Sequence, residues 1–140
     1  MNKLLLLLIL FSVNAFALDE CYTGSWFEEP GEGINIEVLN PLPDVDGMDE
    51  RTIGYFYTYG PDGNHRWYVM DFGIGDVGPM YSTNAQGDES EVGSASLDAI
   101  DSKTLLFVFN ITQDLFNPPW CLDASCVGEL VMTRLTGSCN

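Results

Sequence analysis

Thr52-Ile-Gly-Tyr-Phe-Tyr-Thr-Tyr59, followed by Gly60-Pro-Asp-Gly-Asn64 and then His65-Arg-Trp-Tyr-Val-Met-Asp-Phe72, is the stretch on which the fold turns. Both flanks are rich in aromatic and β-branched residues, which fit a pleated surface. The five residues between them carry turn chemistry. Pro61 pre-sets φ, and Gly63 can take the positive φ that closes the chain on itself. The stretch therefore predicts a β-hairpin. Side chains alternate across a strand, so Tyr55, Tyr57 and Tyr59 share one face and Gly54, Phe56 and Thr58 the other. On the partner strand Trp67, Val69 and Asp71 alternate with Tyr68, Met70 and Phe72.

Outward from the hairpin the same texture repeats, and no stretch shows sustained helical periodicity. Strands are expected near Gly24–Phe27, Gly33–Leu39, Thr52–Tyr59, His65–Phe72, Gly78–Thr83, Val92–Leu97, Lys103–Thr112 and Val127–Leu135. Eight short strands with regular turn signals predict an all-β fold, a single antiparallel barrel or sandwich. Polar loops are expected at Asn40–Glu50, Gln86–Glu91 and Gln113–Cys126.

The N-terminus reads as an export signal. Met1-Asn2-Lys3 precedes the apolar run Leu4 to Val13 and the A-x-A site Ala15-Phe16-Ala17, the pattern of a cleavable signal peptide. The run is too short for a membrane-spanning helix, which takes about 20 residues. Residues 1–17 are thus read as the signal and 18–140 as one domain. The acids Asp19 and Glu20 directly before Cys21 fit lipidation badly, so release into the periplasm or medium is expected. The chain holds 21 acids against five bases, and removing Lys3 with the signal takes its net charge from −16 to −17. Such a field excludes nucleic acid and anionic lipid as partners, because both require surface cations.

All four cysteines lie beyond the signal. In an oxidising compartment an even number implies disulfides. Three pairings are possible. Cys121–Cys126 and Cys21–Cys139 are favoured, the second tying the two ends of the domain. A zinc site would need ligands at metal spacing, and the chain has one His and no C-x-x-C.

Gly24-Ser-Trp-Phe, then Gly31-Glu-Gly-Ile-Asn-Ile-Glu37, then Tyr57-Thr-Tyr59, Gly63 and Trp67-Tyr68 resemble a motif of small exported proteins of Gram-negative bacteria. Its pattern is G-x-W-[YF], G-x-G-[FI]-x-[IV]-E, then [FY]-T-Y-x-x-x-G-x-x-x-W-[YF]. Leu130-Val-Met-Thr-Arg-Leu-Thr136 is similar to the family's closing strand. The spacer between the first Pro and G-x-G is shorter here. The resemblance implies export and a compact β domain, and it assigns no catalytic or binding residue.

Candidate chemistry is sparse. Nucleophilic catalysis needs a base beside a Ser or Cys, and the one histidine, His65, flanks a turn. A glycosidase needs two carboxylates across a cleft, and with 21 acids no pair stands out. A carboxylate-dependent hydrolase is therefore the third reading, and a non-enzymatic protein without cofactor is preferred. Glu37, on an otherwise apolar strand, is expected to pair with Arg134 in a structural salt bridge. Asp44, Asp46 and Asp49 form a weak calcium candidate that lacks EF-hand spacing. Tyr55, Tyr57, Tyr59, Trp67 and Trp26 remain. Facing inward they are core, the commoner fate of aromatics in β proteins. Facing outward they form a stacking platform for a glycan or small apolar molecule. That binding module is the leading functional expectation. The alternative is an inhibitor or binder of a basic secreted protein such as a hydrolase, drawn by the acidic field.

Overall fold

The computed structural model describes residues 18–29, 31–40, 49–60, 62–117 and 126–136. Residues 1–17, read above as a signal peptide, lie outside the described residues, as do Cys121, Cys139, Asp44 and Asp46. Eight strands, β1 (Gly24–Glu28), β2 (Glu32–Leu39), β3 (Arg51–Tyr59), β4 (His65–Gly73), β5 (Val77–Thr83), β6 (Glu89–Asp101), β7 (Thr104–Ile111) and β8 (Cys126–Arg134), close into a barrel. Every strand pairs antiparallel with its sequence neighbours, and β8 returns to β1. Of the two expected architectures, the barrel is the one observed. Closure removes the exposed sheet edges that a sandwich would have to protect.

The expected central hairpin forms, with Tyr59 opposite His65, Tyr57 opposite Trp67 and Tyr55 opposite Val69. Gly63 takes φ +75° in the turn. Gly60 N–H donates to the Asn64 carbonyl at 2.8 Å.

Side chains fill the barrel interior. Phe56 lies edge-on to Phe107, with ring centroids 4.9 Å apart, and tilts against Phe109 at 5.2 Å. Ile34, Ile36, Met70, Met80, Leu97, Leu105 and Met132 complete the packing, all fully buried. An eight-stranded barrel is about wide enough for side chains to meet across it.

β6 runs well past the expected Val92–Leu97 at both ends. Its flanks, Glu89-Ser-Glu91, which falls in the expected Gln86–Glu91 loop, and Asp98-Ala-Ile-Asp101, are acid-rich. The register also shifts opposite Met80 and Tyr81, which pair with Gly93 and Glu91 and leave Val92 as the extra residue of a bulge. The inward parity changes there, from Val92 to Ala95 and Leu97, so simple alternation fails to track the strand. Gly93 is required at this bulge because a Cβ would stand 1.8 Å from the Asn110 carbonyl oxygen. Gly93→Ala is expected to destabilise the protein by about 3 kcal/mol, since the clash is with backbone. A urea midpoint within error of the parent would show that β6 and β7 can separate freely here.

Polar clusters close each end of the barrel. At one end, Asp114 in the segment after β7 accepts from the Tyr68 hydroxyl at 3.0 Å and the Ser82 hydroxyl at 3.1 Å. It also accepts from the Phe116 and Asn117 N–H groups and the Asn117 amide. At the other end, a single 3-10 turn at Glu20–Tyr22 packs against β2. Tyr22 stacks on Trp26 with centroids 6.0 Å apart.

Arg134 sits at that second end and does not pair with Glu37. Its guanidinium donates to the carbonyls of Cys21, Thr23 (3.2 Å), Ser102 (3.1 Å) and Thr136 (2.9 Å). Its carbon lies 5.0 Å from the centre of the Trp26 ring. The expected Glu37–Arg134 salt bridge is thus corrected. Glu37 follows the parity of Asn35 on β2 and points outward, cross-strand from Ile53. An outward carboxylate is solvated and needs no buried partner.

Candidate functional site

The inside face of β3 is Thr52, Gly54, Phe56 and Thr58, all buried, so the tyrosine row Tyr55, Tyr57 and Tyr59 faces out. The expectation that this row is core is overturned. The reason lies at Gly54, where a Cβ would stand 2.6 Å from the Met70 methyl carbon and 3.2 Å from the Phe72 ring. The missing side chain makes room for two large neighbours. The less aromatic face of β3 is therefore the one the core accepts.

Tyr57 and Tyr59 are each 51 % exposed and Trp67 is 47 % exposed. Tyr57 and Trp67 face one another across β3 and β4, within the direct contact distance of cross-strand pairs. On its other side Tyr57 is opposite Gly33, which offers no side chain, and beyond that lies Phe27. Tyr59 stands edge-on to the His65 ring at 4.6 Å. The next row is Asn35, Tyr55, Val69, Tyr81 and Glu91, running from β2 to β6. Tyr55, Val69 and Tyr81 are half-buried.

Trp26 does not belong to this platform. It is 1 % exposed, points into the barrel, and donates its indole N–H to the Tyr22 carbonyl at 3.2 Å. Alternation in β1 places Phe27, its neighbour, on the outer face instead. The structure thus brings Tyr55, Tyr57, Tyr59 and Trp67 together and sets Trp26 apart.

No family model, curated protein or solved structure matches this chain.

Acids border the platform. Glu37 and Asp71 flank Ile53 on either side, one residue pair below Tyr55. Asp71 is held by Arg51 in a bidentate pair, with Nε–Oδ1 at 3.1 Å and Nη2–Oδ2 at 2.6 Å. At the turn, Asp62 receives the Asn64 side-chain amide (3.0 Å) and the Asn64 N–H (3.2 Å), and Arg66 at 3.2 Å. The Asn64 side-chain bond foremost, with the N–H bond and the guanidinium behind it, holds the Asp62 carboxyl below its ordinary pKa against desolvation. A depressed folded-state pKa gives stability that is present above the ordinary carboxylate value and lost as the pH falls through the lowered one. Asp62→Asn is expected to flatten that acid limb in urea midpoints taken from about pH 7 to about pH 3. An unchanged slope would show that these bonds persist in the unfolded chain.

Beyond Ile53, at the opposite end of β3 from the turn, a cleft of about 450 Å³ is lined by Leu39, Asp49, Glu50, Arg51, Ile53 and Ile74. Asp49, the described member of the calcium candidate, sits there. Among the described residues no group of three or more His, Cys, Asp or Glu is arranged to hold a metal ion.

Proposed function

We propose that the protein is an exported, non-enzymatic binding module whose outer β3–β4 face receives a sugar ring by stacking. The observation that carries this reading is the Tyr57–Trp67 pair, about half exposed on a strand whose other face is already packed. Large aromatic rings are normally the first to be buried, because each removes 150–250 Å² or so from water. Rings left standing in a contiguous row mark a contact surface. A filled interior supports docking outside the barrel rather than within it.

Export and two disulfides belong to the same proposal. They are supported by the signal-like N-terminus, the family resemblance, and the absence of a free thiol among the described cysteines, Cys21 and Cys126. Intact mass of protein recovered from the periplasm or medium tests both. The expected mass begins at Leu18 and is lighter by one hydrogen per cysteine.

The stacking itself is tested by titrating neutral oligosaccharides against intrinsic tryptophan fluorescence. A saturable change is expected, with Tyr57→Ala and Trp67→Ala each weakening binding about tenfold. Should no oligosaccharide perturb the emission or bind by calorimetry, the platform is not a sugar site.

A further inference from the structure

We propose that the N-terminal half of β8 is a strand-addition site, where an extended basic segment of a partner protein joins the sheet beside Val127 and Glu129. The site is separate from the stacking face and stands whether or not a sugar binds there.

The closure that joins β8 to β1 is two residue pairs long, Trp26–Arg134 and Phe27–Thr133. β1 ends at Glu28, while β8 runs on to Cys126, paired on its other side with β7. Hydrogen bonds along β8 show which backbone groups face the gap. Arg134 N–H donates to the Lys103 carbonyl in the β6–β7 turn, and Leu135 N–H donates to the Ser25 carbonyl on β1. Direction alternates with each residue of a strand, so Val127, Glu129 and Val131 turn their N–H and C=O groups toward the β1 side. The Val131 N–H meets the Glu28 carboxylate at 3.3 Å, a side chain standing where the ladder stops. Beyond it, among the described residues, nothing pairs with the N–H and C=O groups of Val127 and Glu129.

An unpaired edge is a template for another strand, and soluble proteins commonly blunt it with lysine, proline or a bulge. None of these is present from Cys126 to Val131, and the β7–β8 register runs without a shift. Instead Val127 and Val131, 71 % and 48 % exposed, alternate on the outer surface with Glu129. In an added strand the residue opposite each shares its face, so an apolar side chain meets Val127 and a lysine or arginine meets Glu129. The charge of the occupant follows from the same surface. Glu28 and Glu129 border the edge, and no ion pair among the described residues involves them. A second copy of the chain brings a net charge of −16 against its own, so self-pairing is opposed. A basic segment is drawn in by that field and gains the main-chain hydrogen bonds on arrival.

The test is amide hydrogen exchange on the full mature protein, alone and with a capped hexapeptide carrying lysine and valine two residues apart among threonines. In the free protein the Val127 and Glu129 amides are expected to exchange about a hundredfold faster than those of Gly128 and Leu130, which face β7. Saturating peptide is expected to slow both by about tenfold or more. Replacing its lysine by glutamate, or N-methylating the backbone amides that pair, is expected to weaken binding about tenfold. In the protein, Val127→Pro removes an N–H that β7 does not use and is expected to abolish binding. Glu129→Lys is expected to reverse the preference between the lysine and glutamate peptides, an outcome that misfolding does not mimic. Protected Val127 and Glu129 amides in the free protein would mean that the edge is already covered and would overturn the proposal. Binding indifferent to N-methylation, or no binding of the lysine peptide, would overturn it equally. Protection that grows with protein concentration would make a second copy the occupant and overturn the basic partner.

Discussion

Asp114→Ala is expected to destabilise the barrel by about 4 kcal/mol. The carboxylate accepts five hydrogen bonds, and two come from the Tyr68 and Ser82 hydroxyls, whose side chains are almost wholly buried. Truncation leaves the two buried hydroxyls without that acceptor, and each such loss costs about 1–3 kcal/mol. The segment following β7 would lose its anchor in the same step, because Asp114 also receives the N–H groups that shape it. Urea unfolding should show a lower midpoint at constant m-value. The cycle with Tyr68→Phe separates this from generic damage. Removing the donor as well as the acceptor should recover part of the loss, giving a coupling of about 1 kcal/mol or more. Strict additivity of the two substitutions would mean that Tyr68 and Asp114 act independently.

Arg134→Ala should be nearly as severe, at about 3 kcal/mol. One guanidinium bonds the carbonyls of four residues drawn from the N-terminal segment, the β6–β7 turn and the end of β8. It also lies over the buried Trp26 ring. This is the seam of the barrel, where β1 and β8 share only the pairs Trp26–Arg134 and Phe27–Thr133. A short ladder leaves closure dependent on side-chain bonds. Arg134→Lys should recover less than half of the loss, because an ammonium is a point donor and cannot reproduce the planar fork. Glu37→Gln, by contrast, should leave stability within about 0.5 kcal/mol of the parent, as expected for an outward residue. If Arg134→Lys were as stable as the parent, the guanidinium geometry would not be what closes the barrel.

Much of the fold was legible in the residues themselves. The Gly-Pro-Asp-Gly-Asn turn and its flanks specify the central hairpin, and all eight expected strands are present. β6 was under-read because its ends are acid-rich and its bulge breaks the alternation. On the outer β3–β4 face, spacing grouped Tyr55, Tyr57 and Tyr59 on one side of the strand and left open whether that side is core or exposed. Trp26 was wrongly grouped with them, since its similarity to them is chemical and its strand position puts it indoors. Asp114 and Arg134 carried no local signal as barrel clamps. The hydroxyl partners of Asp114 lie 32 and 46 residues away, and the partners of Arg134 up to 113 residues away.

The sequence by itself determined the strands, the central hairpin and the two sets of residues that share each face of β3. Those are consequences of local turn chemistry and of a side-chain period of two. Which set faces the core was decided by the tertiary structure alone. Both faces of β3 are apolar enough to be buried, so composition could not choose between them. The choice depends on what crosses the barrel to meet them: Met70 and Phe72 fill the space that Gly54 leaves, and Phe107 and Phe109 close on Phe56. The tyrosine row is outside because the interior was already full.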